Sequence, residues 1–337
     1  MKYYLAPMEG LTGYVYRNAH HSCYPAMDQY FTPFLSPKSN SGLSARERND
    51  ILPEHNEGIR VIPQILTNRS EDFLRTAREL RGYGYRELNL NLGCPSGTVV
   101  SKHKGAGFLE LPDALDRFLE EVFDGMEQMG MELSIKTRLG MADPEEFHRL
   151  LEIYGKYPVK ELILHPRVRT DYYKNTPDWP AFARARERAP FPVCYNGDLF
   201  TVDAVQKLEK EFPDLDCVML GRGIIANPAL AEQIEASRSP SGEIQPSALS
   251  FDPRAEKERL REFHQMLLEG YEQVMSGDRN VLFKMKEIWS CMIQIFDGGE
   301  PYIKKIKKSQ KIGDYQAAVS NLFANGDIRE GAGFSSY

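Results

Sequence analysis

The stretch ELNLNLGCPSGTVV (87–100) begins as a short apolar run and stops at a Gly–Cys–Pro turn, and the way such runs recur decides the fold. Before it come KYYLAP (2–7), DQYFTPF (28–34) and VIPQIL (61–66); after it come ELSIKTR (132–138), ELILHPR (161–167), PVCYNG (192–197) and CVMLGRG (217–223). Between most of these lie longer amphipathic patterns, among them SEDFLRTARELRGYG, PDALDRFLEEVFDGMEQMG, PEEFHRLLEIYGKY and TVDAVQKLEKEF, which open on Ser, Pro or Thr and often stop near Gly. Strand alternating with helix implies right-handed parallel crossovers. Eight units of this kind predict an α/β fold, a closed (β/α)8 TIM barrel.

Beyond the barrel the text changes. ASRSPSGEIQPSALSFDP (236–253) is rich in Ser, Pro and Gly and reads as a linker, and from Arg254 onward only helical patterns follow. The expected organisation is a barrel over residues 1–238, a linker over 239–253 and a small all-helical domain over 254–337. Within that last part YIKKIKKSQK (302–311) carries Lys304, Lys305, Lys307, Lys308 and Lys311 without an acid. Such a run is either a solvated face or a contact for an anionic polymer.

Composition sets outer limits. A chain of 337 residues, 42% hydrophobic, buries a substantial core, which excludes disorder and a disulfide-stapled module. Its 42 Lys+Arg against 48 Asp+Glu give a net charge of -6, which excludes a globally basic nucleic-acid binder but not a local basic patch. Cys23, Cys94, Cys194, Cys217 and Cys291 are odd in number, widely spaced and never in a C-x-x-C, so a disulfide framework is not indicated and a reducing cytoplasm is the expected location. No stretch approaches eighteen consecutive apolar residues, so a membrane span is not expected. No H-x-x-x-H occurs, and no metal site is expected.

Polar residues gather at the carboxyl ends of the runs, where a barrel builds its catalytic face. They include Gln64, Asn89 and Asn91, Lys136 and Arg138, His165 and Arg167, Asn196 and Asp198, and Arg222. Polar side chains cost free energy when buried without partners, so their concentration points to a polar ligand in the barrel mouth. The NGD and GRG turns after the last two runs make Gly197, Gly221 and Arg222 candidate phosphate contacts. A buried Lys136 suits a ring system that becomes anionic on reduction, which fits a flavin better than a nicotinamide. His165 reads equally as a core histidine or a ligand contact. Cys94, on a loop ahead of the glycine-rich KHKGAGF segment, is the most pointed candidate, as a proton donor or a nucleophile; the other four cysteines read as small buried hydrophobes.

APMEGLTG (6–13), the run with Gln64, NLNLGCPSGTVV (89–100), KHKGAGFLE (102–110), IKTRLG (135–140), HPRVRTDYY (165–173), NGDLF (196–200) and GRGIIANP (221–228) together resemble the tRNA-dihydrouridine synthase family, in a bacterial form. The resemblance runs from Ala6 to about Pro228, and the helical tail matches the family's two-domain plan. Thr98 departs from a common variant with Lys after the cysteine, which suggests a subclass with an S-x-T-V form.

The resemblance implies an FMN enzyme that uses NADPH to reduce the 5,6 double bond of particular uridines in tRNA, with Cys94 protonating C5. It places Pro7, Met8, Gln64, Lys136, His165, Asn196, Gly197, Asp198, Gly221 and Arg222 at the flavin. Asn91, Arg138, Arg167 and Arg169 fall to the substrate, together with Lys304, Lys305, Lys307 and Lys308 on the helical domain. A uridine in folded tRNA must be turned out at a cost of a few kcal/mol, so a grip away from the barrel is expected. The alternatives are an FMN barrel acting on a small substrate, such as a dihydroorotate or enoate reductase, and a non-catalytic RNA-binding barrel. A monomer with tRNA as partner is expected, with neither DNA nor membrane.

Overall fold

The computed structural model describes residues 1–39, 42–238 and 252–335. Most of the expected linker, residues 239–251, lies outside the described residues. The strands are β1 (Lys2–Leu5), β2 (Gln29–Phe31), β3 (Val61–Ile62), β4 (Gln64–Ile65), β5 (Glu87–Leu92), β6 (Glu132–Gly140), β7 (Leu162–Val168), β8 (Val193–Tyr195) and β9 (Cys217–Leu220). The helices are α1 (Tyr14–Cys23), α2 (Ala45–Ile51), α3 (Ser70–Gly82), α4 (Gly97–Val100), α5 (Pro112–Gln128), α6 (Glu146–Tyr154), α7 (Trp179–Arg188), α8 (Val202–Glu211), α9 (Arg222–Ala226), α10 (Leu230–Ala236), α11 (Pro253–Val274), α12 (Asp278–Met292), α13 (Glu300–Lys308) and α14 (Ile312–Asn325).

The sheet order is β3-β2-β1-β9-β8-β7-β6-β5-β4. Its two ends are separated in the chain by Pro63 alone, so β3 and β4 are halves of one strand and the sheet is a nearly closed barrel, as the sequence predicts. Proline has no amide hydrogen to give a ladder, which is why the strand breaks there. β3 pairs with β2 on one side (Tyr30 opposite Val61), and β4 pairs with β5 on the other (Gln64 opposite Asn89). The carbonyl of Pro63 still accepts the Asn89 amide at 2.9 Å.

Successive residues of a strand face opposite sides. In β5 this sends Leu88, Leu90 and Leu92, all fully buried, to one face and Asn89 and Asn91 to the other. The leucine face meets the helix layer. α3 buries Phe73, Thr76, Ala77 and Leu80 at helical spacing, α5 buries Phe118, Leu119, Val122 and Met126, and Phe73 meets Phe118 edge to face at 6.2 Å. Pro112 suits the first turn of α5, where its missing amide hydrogen is not needed.

The chain falls into two compact bodies: Met1–Pro7, Gln29–Gly197 and Asp216–Met219 form one; Met8–Asp28, Asp198–Leu215 and Leu220–Tyr337 form the other. The second body is almost wholly helical and has its own core. Phe263 of α11 meets Tyr16 of α1 and Tyr24 just beyond its end edge to face, each at 5.6 Å, and Gly270 lets Val15 approach where a Cβ would come within 2.6 Å. Burying a side chain of that size contributes roughly 2–3 kcal/mol. Farther along, the Tyr315 hydroxyl accepts from Trp289 Nε1 at 2.8 Å and meets His264 Nε2 at 2.7 Å.

Candidate active site

In the first body a ladder of amides crosses the barrel interior. Asn89 Nδ2 donates to Ser134 Oγ at 2.9 Å, Gln64 Nε2 to Asn89 Oδ1 at 2.7 Å, and Asn91 Nδ2 to Gln64 Oε1 at 2.7 Å. The ladder ends at Asn91 Oδ1, which accepts the amides of Gly93 at 3.1 Å and Cys94 at 3.0 Å. Gln64 and Asn89 are fully buried, so these bonds satisfy groups that would otherwise be costly. Gln64 is thereby committed to the protein scaffold, and Asn91 to the loop that carries Cys94.

That loop is packed without slack. The Cys94 carbonyl accepts the Ala106 amide at 3.1 Å, and Gly105, at φ +55°, lies where a Cβ would come within 3.0 Å of Cys94. At Gly107 a Cβ would stand 2.7 Å from the Val100 carbonyl oxygen. The glycines of KHKGAGF therefore serve close approach. Arg138 holds the other side, its Nε donating to the Gly93 carbonyl at 2.9 Å and its Nη1 to that of Val168 at 3.1 Å.

Lys136 stands opposite Asn91 in the β5–β6 register and gives its ammonium to Asn196 Oδ1 at 2.7 Å, while Asn196 Nδ2 donates to the Met219 carbonyl at 2.8 Å. Some of its surface remains open, yet burial of the charge is the largest effect on it. Burial, followed by the like charge of Arg138, brings its pKa down from 10.5 to about 7, with Cys194 and Cys94 opposing. A cation held among the described residues by one neutral acceptor is a donor set suited to an anionic or electron-rich ring edge, so the residues present fit a flavin.

The loop after β7 supplies more. Arg167 Nη1 meets His165 Nε2 at 2.9 Å. A guanidinium can only donate, so that histidine nitrogen accepts. Arg167 Nε also donates to the Lys174 carbonyl at 2.9 Å. Arg138 and Arg167 are only 1% and 2% exposed, so they shape the mouth from beneath its surface. Arg169 lies 4.9 Å from the Tyr172 ring, and its buried Nε has no partner among the described residues. Tyr173, missed in the sequence, is 53% exposed, stacks on His165 at 6.2 Å and covers the Arg138 guanidinium at 5.4 Å. The run HPRVRTDYY held the signal, an aromatic pair directly after a stretch rich in charge.

Of the other expected residues, Pro7 follows shortly after the end of β1, and Gly197 passes the Tyr195 hydroxyl where a Cβ would come within 3.1 Å. In the second body the Met8 amide donates to Thr12 Oγ1 at 2.9 Å, closing the turn after β1. Lys284 of α12 donates to the Gly10 carbonyl of that same turn. Arg222 Nη2 donates to Asp198 Oδ1 at 2.7 Å, with the Phe200 ring 5.0 Å from its guanidinium. Gly223 lies where a Cβ would stand 2.4 Å from the Leu199 carbonyl oxygen, which ties the GRG turn to the NGDLF turn. On α13, Lys304, Lys305, Lys307 and Lys308 are exposed around the buried Ile306. Cys23, Cys194 and Cys217 are buried, whereas Cys291 is only partly so. Among the described residues, no helix is long and apolar enough to cross a membrane, and no group of three or more His, Cys, Asp or Glu could hold a metal ion.

Comparison with known proteins bears on the family and the fold. A tRNA-dihydrouridine(16) synthase of Aquipseudomonas alcaligenes is 28% identical over 297 residues, covering 82% of this chain and 93% of that protein. A probable tRNA-dihydrouridine synthase of Staphylococcus aureus is 28% identical over 271 residues, covering 77% of this chain and 80% of its own length. Among solved structures, a morphinone reductase mutant in complex with tetrahydroNAD superposes with a TM-score of 0.51 at 13% identity, over 74% of this chain and 91% of that one, a likeness of fold. The sequence model described as dihydrouridine synthase matches residues 4–292, and the chain therefore belongs to the dihydrouridine synthase family.

Proposed function

We propose that this protein is a tRNA-dihydrouridine synthase that reduces the C5–C6 double bond of particular uridines in tRNA, using FMN and NADPH. The observation that carries the reading is Cys94 at the barrel mouth, its amide fixed by Asn91 and its loop braced by Arg138. FMN, when bound, supplies the hydride, drawn from NADPH, that reaches C6 of the uracil. Cys94 Sγ holds the proton that C5 receives. Lys136 and Asn196 hold the flavin ring, with Pro7, Met8, Gln64 and His165 around it, and Gly197, Gly221 and Arg222 hold its phosphate end, with Asp198 orienting Arg222. Asn91, Arg138, Arg167 and Arg169 position the base and its backbone, and Tyr173 offers a flat wall for stacking. Orientation of this kind is worth several kcal/mol of barrier.

In this reading residues 1–238 are the catalytic barrel domain, 239–253 the linker and 254–337 a helical tRNA-binding domain, in which Lys304, Lys305, Lys307 and Lys308 meet phosphates. The protein works as a cytoplasmic monomer and does not act on DNA. The test is to purify the full chain, which is expected to be yellow, and to follow NADPH consumption and dihydrouridine formation with unmodified tRNA. Cys94→Ala should leave flavin and tRNA binding intact and slow reduction about 100-fold or more, the scale for losing a general acid. A flavin-loaded protein that reduces orotate or enones but never forms dihydrouridine would sink the proposal.

A further inference from the structure

Five residues near the end of the chain, Gly331–Ser335, close over Arg222. After α14, Ile328 forms an antiparallel bridge with Phe296, and the chain then runs back to the GRG and NGDLF turns. The Ala332 carbonyl accepts Asn227 Nδ2 at 3.0 Å. At Gly333 the chain passes the Phe200 backbone so closely that a Cβ would stand 2.0 Å from its carbonyl oxygen. Phe334 then lays its ring 5.0 Å from that of Phe200 and 5.1 Å from the Arg222 guanidinium, which has Phe200 as its other aromatic neighbour.

The guanidinium thus has these two rings and the Asp198 carboxylate among its neighbours. An arginine side chain carries about 2 kcal/mol of rotamer entropy when free. Ring faces restrain it through cation–π attraction without consuming its N–H donors, which an anion would need. Residues 331–335 lie beyond the stretch 4–292 that matches the family model, so this clamp is no part of that match.

We propose that the C-terminal segment is a strap for the cofactor's phosphate site, and that Phe334 is a positioning residue acting through Arg222. The proposal rests on the reading of Arg222 as a phosphate contact. Full-length protein stripped of flavin is titrated with FMN and with riboflavin, which has the same ring system but no phosphate, and flavin fluorescence reports binding. Phe334→Ala should weaken FMN binding about fivefold or more, the scale of one partly exposed cation–π contact, and leave riboflavin binding unchanged. Added to Arg222→Ala, it should cost nothing further. Phe334→Leu keeps apolar bulk on Phe200 but removes the ring face, and carries the same expectation if the alanine variant does not fold. Unchanged FMN affinity in these variants, with Arg222→Ala clearly weaker, would overturn the strap; so would an equal loss for FMN and riboflavin, which would mark Phe334 as packing only. If Arg222→Ala itself leaves FMN affinity intact, the phosphate reading fails, and the strap with it.

Discussion

Asn91 reaches forward three residues to accept the Cys94 amide at 3.0 Å, and its other end is fixed by Gln64. The barrel interior therefore holds one side of the mouth loop through this side chain, while Arg138 braces the other. Asn91→Ala takes the Asn91 bond from two backbone amides and from Gln64 Oε1, a loss of about 1–3 kcal/mol each if they stay buried. Flavin binding should change little, while turnover with tRNA falls about 10- to 100-fold through misplacement of the thiol. Rapid-mixing measurement of flavin reoxidation by tRNA checks this, and a rate within twofold of wild type would contradict it.

Lys136 gives a pH signature. Its pKa is lowered from 10.5 to about 7 by burial and then by Arg138, so between those values the unfolded chain binds more protons than the folded one. Stability of the flavin-free protein should rise with pH across that window, and the full cost of the buried charge applies below it. Lys136→Met should melt higher than wild type at pH 6, with the gap closing toward pH 10, and should bind FMN at least about tenfold more weakly, the scale of one charge-assisted contact. Thermal melts across the range test the sign; a pH-independent gap would refute it.

The lysines of α13 face outward around Ile306. Replacing Lys304, Lys305, Lys307 and Lys308 together by Gln should weaken tRNA binding and flatten its salt dependence by roughly 0.7–0.9 in log–log slope for each phosphate that is no longer neutralised. Flavin content and small-molecule NADPH oxidation should not change. An unaltered slope would return this face to simple solvation.

His264 is buried neutral, its pKa lowered by burial from 6.5 to about 3, and it pairs with the Tyr315 hydroxyl. Between those values the unfolded state takes up the extra proton, so this contribution is full above pH 6.5 and is lost as pH falls toward 3. His264→Gln should lower the melting temperature by a few degrees at pH 7, and its melting point should fall less steeply than that of wild type between pH 6 and 4. Parallel slopes would exclude His264 as a source of acid sensitivity.

The strand pattern was legible because each barrel strand is a short apolar run closed by turn residues, and the register then brings Asn91 opposite Lys136. Some helices were less visible. α1, YVYRNAHHSC, has no side-chain cap at Gly13, and its packing against α11 buries Arg17 and His20 as well as Tyr16, so no clean apolar stripe marks it. α2 was readable in principle, since Ser44 and Glu47 form a full capping box, and so was α7, with Asp178 capping Ala181 ahead of Pro180. At the site, residue types announced polarity but not partners. That Gln64 would be held between two asparagines, or that Arg138 would brace the Cys94 loop, depends on pairings between strands far apart in the chain.

The pairing of first strand with last also orders events in time. β1 finds its second neighbour only when β9 exists, and α1 finds Phe263 only when α11 exists. β1 and α1 thus complete their packing only against segments far along the sequence, which is the folding burden of high contact order. Until β9 has been made the cylinder stays open along one seam, so a cofactor present from the start would be captured only once that strand has joined.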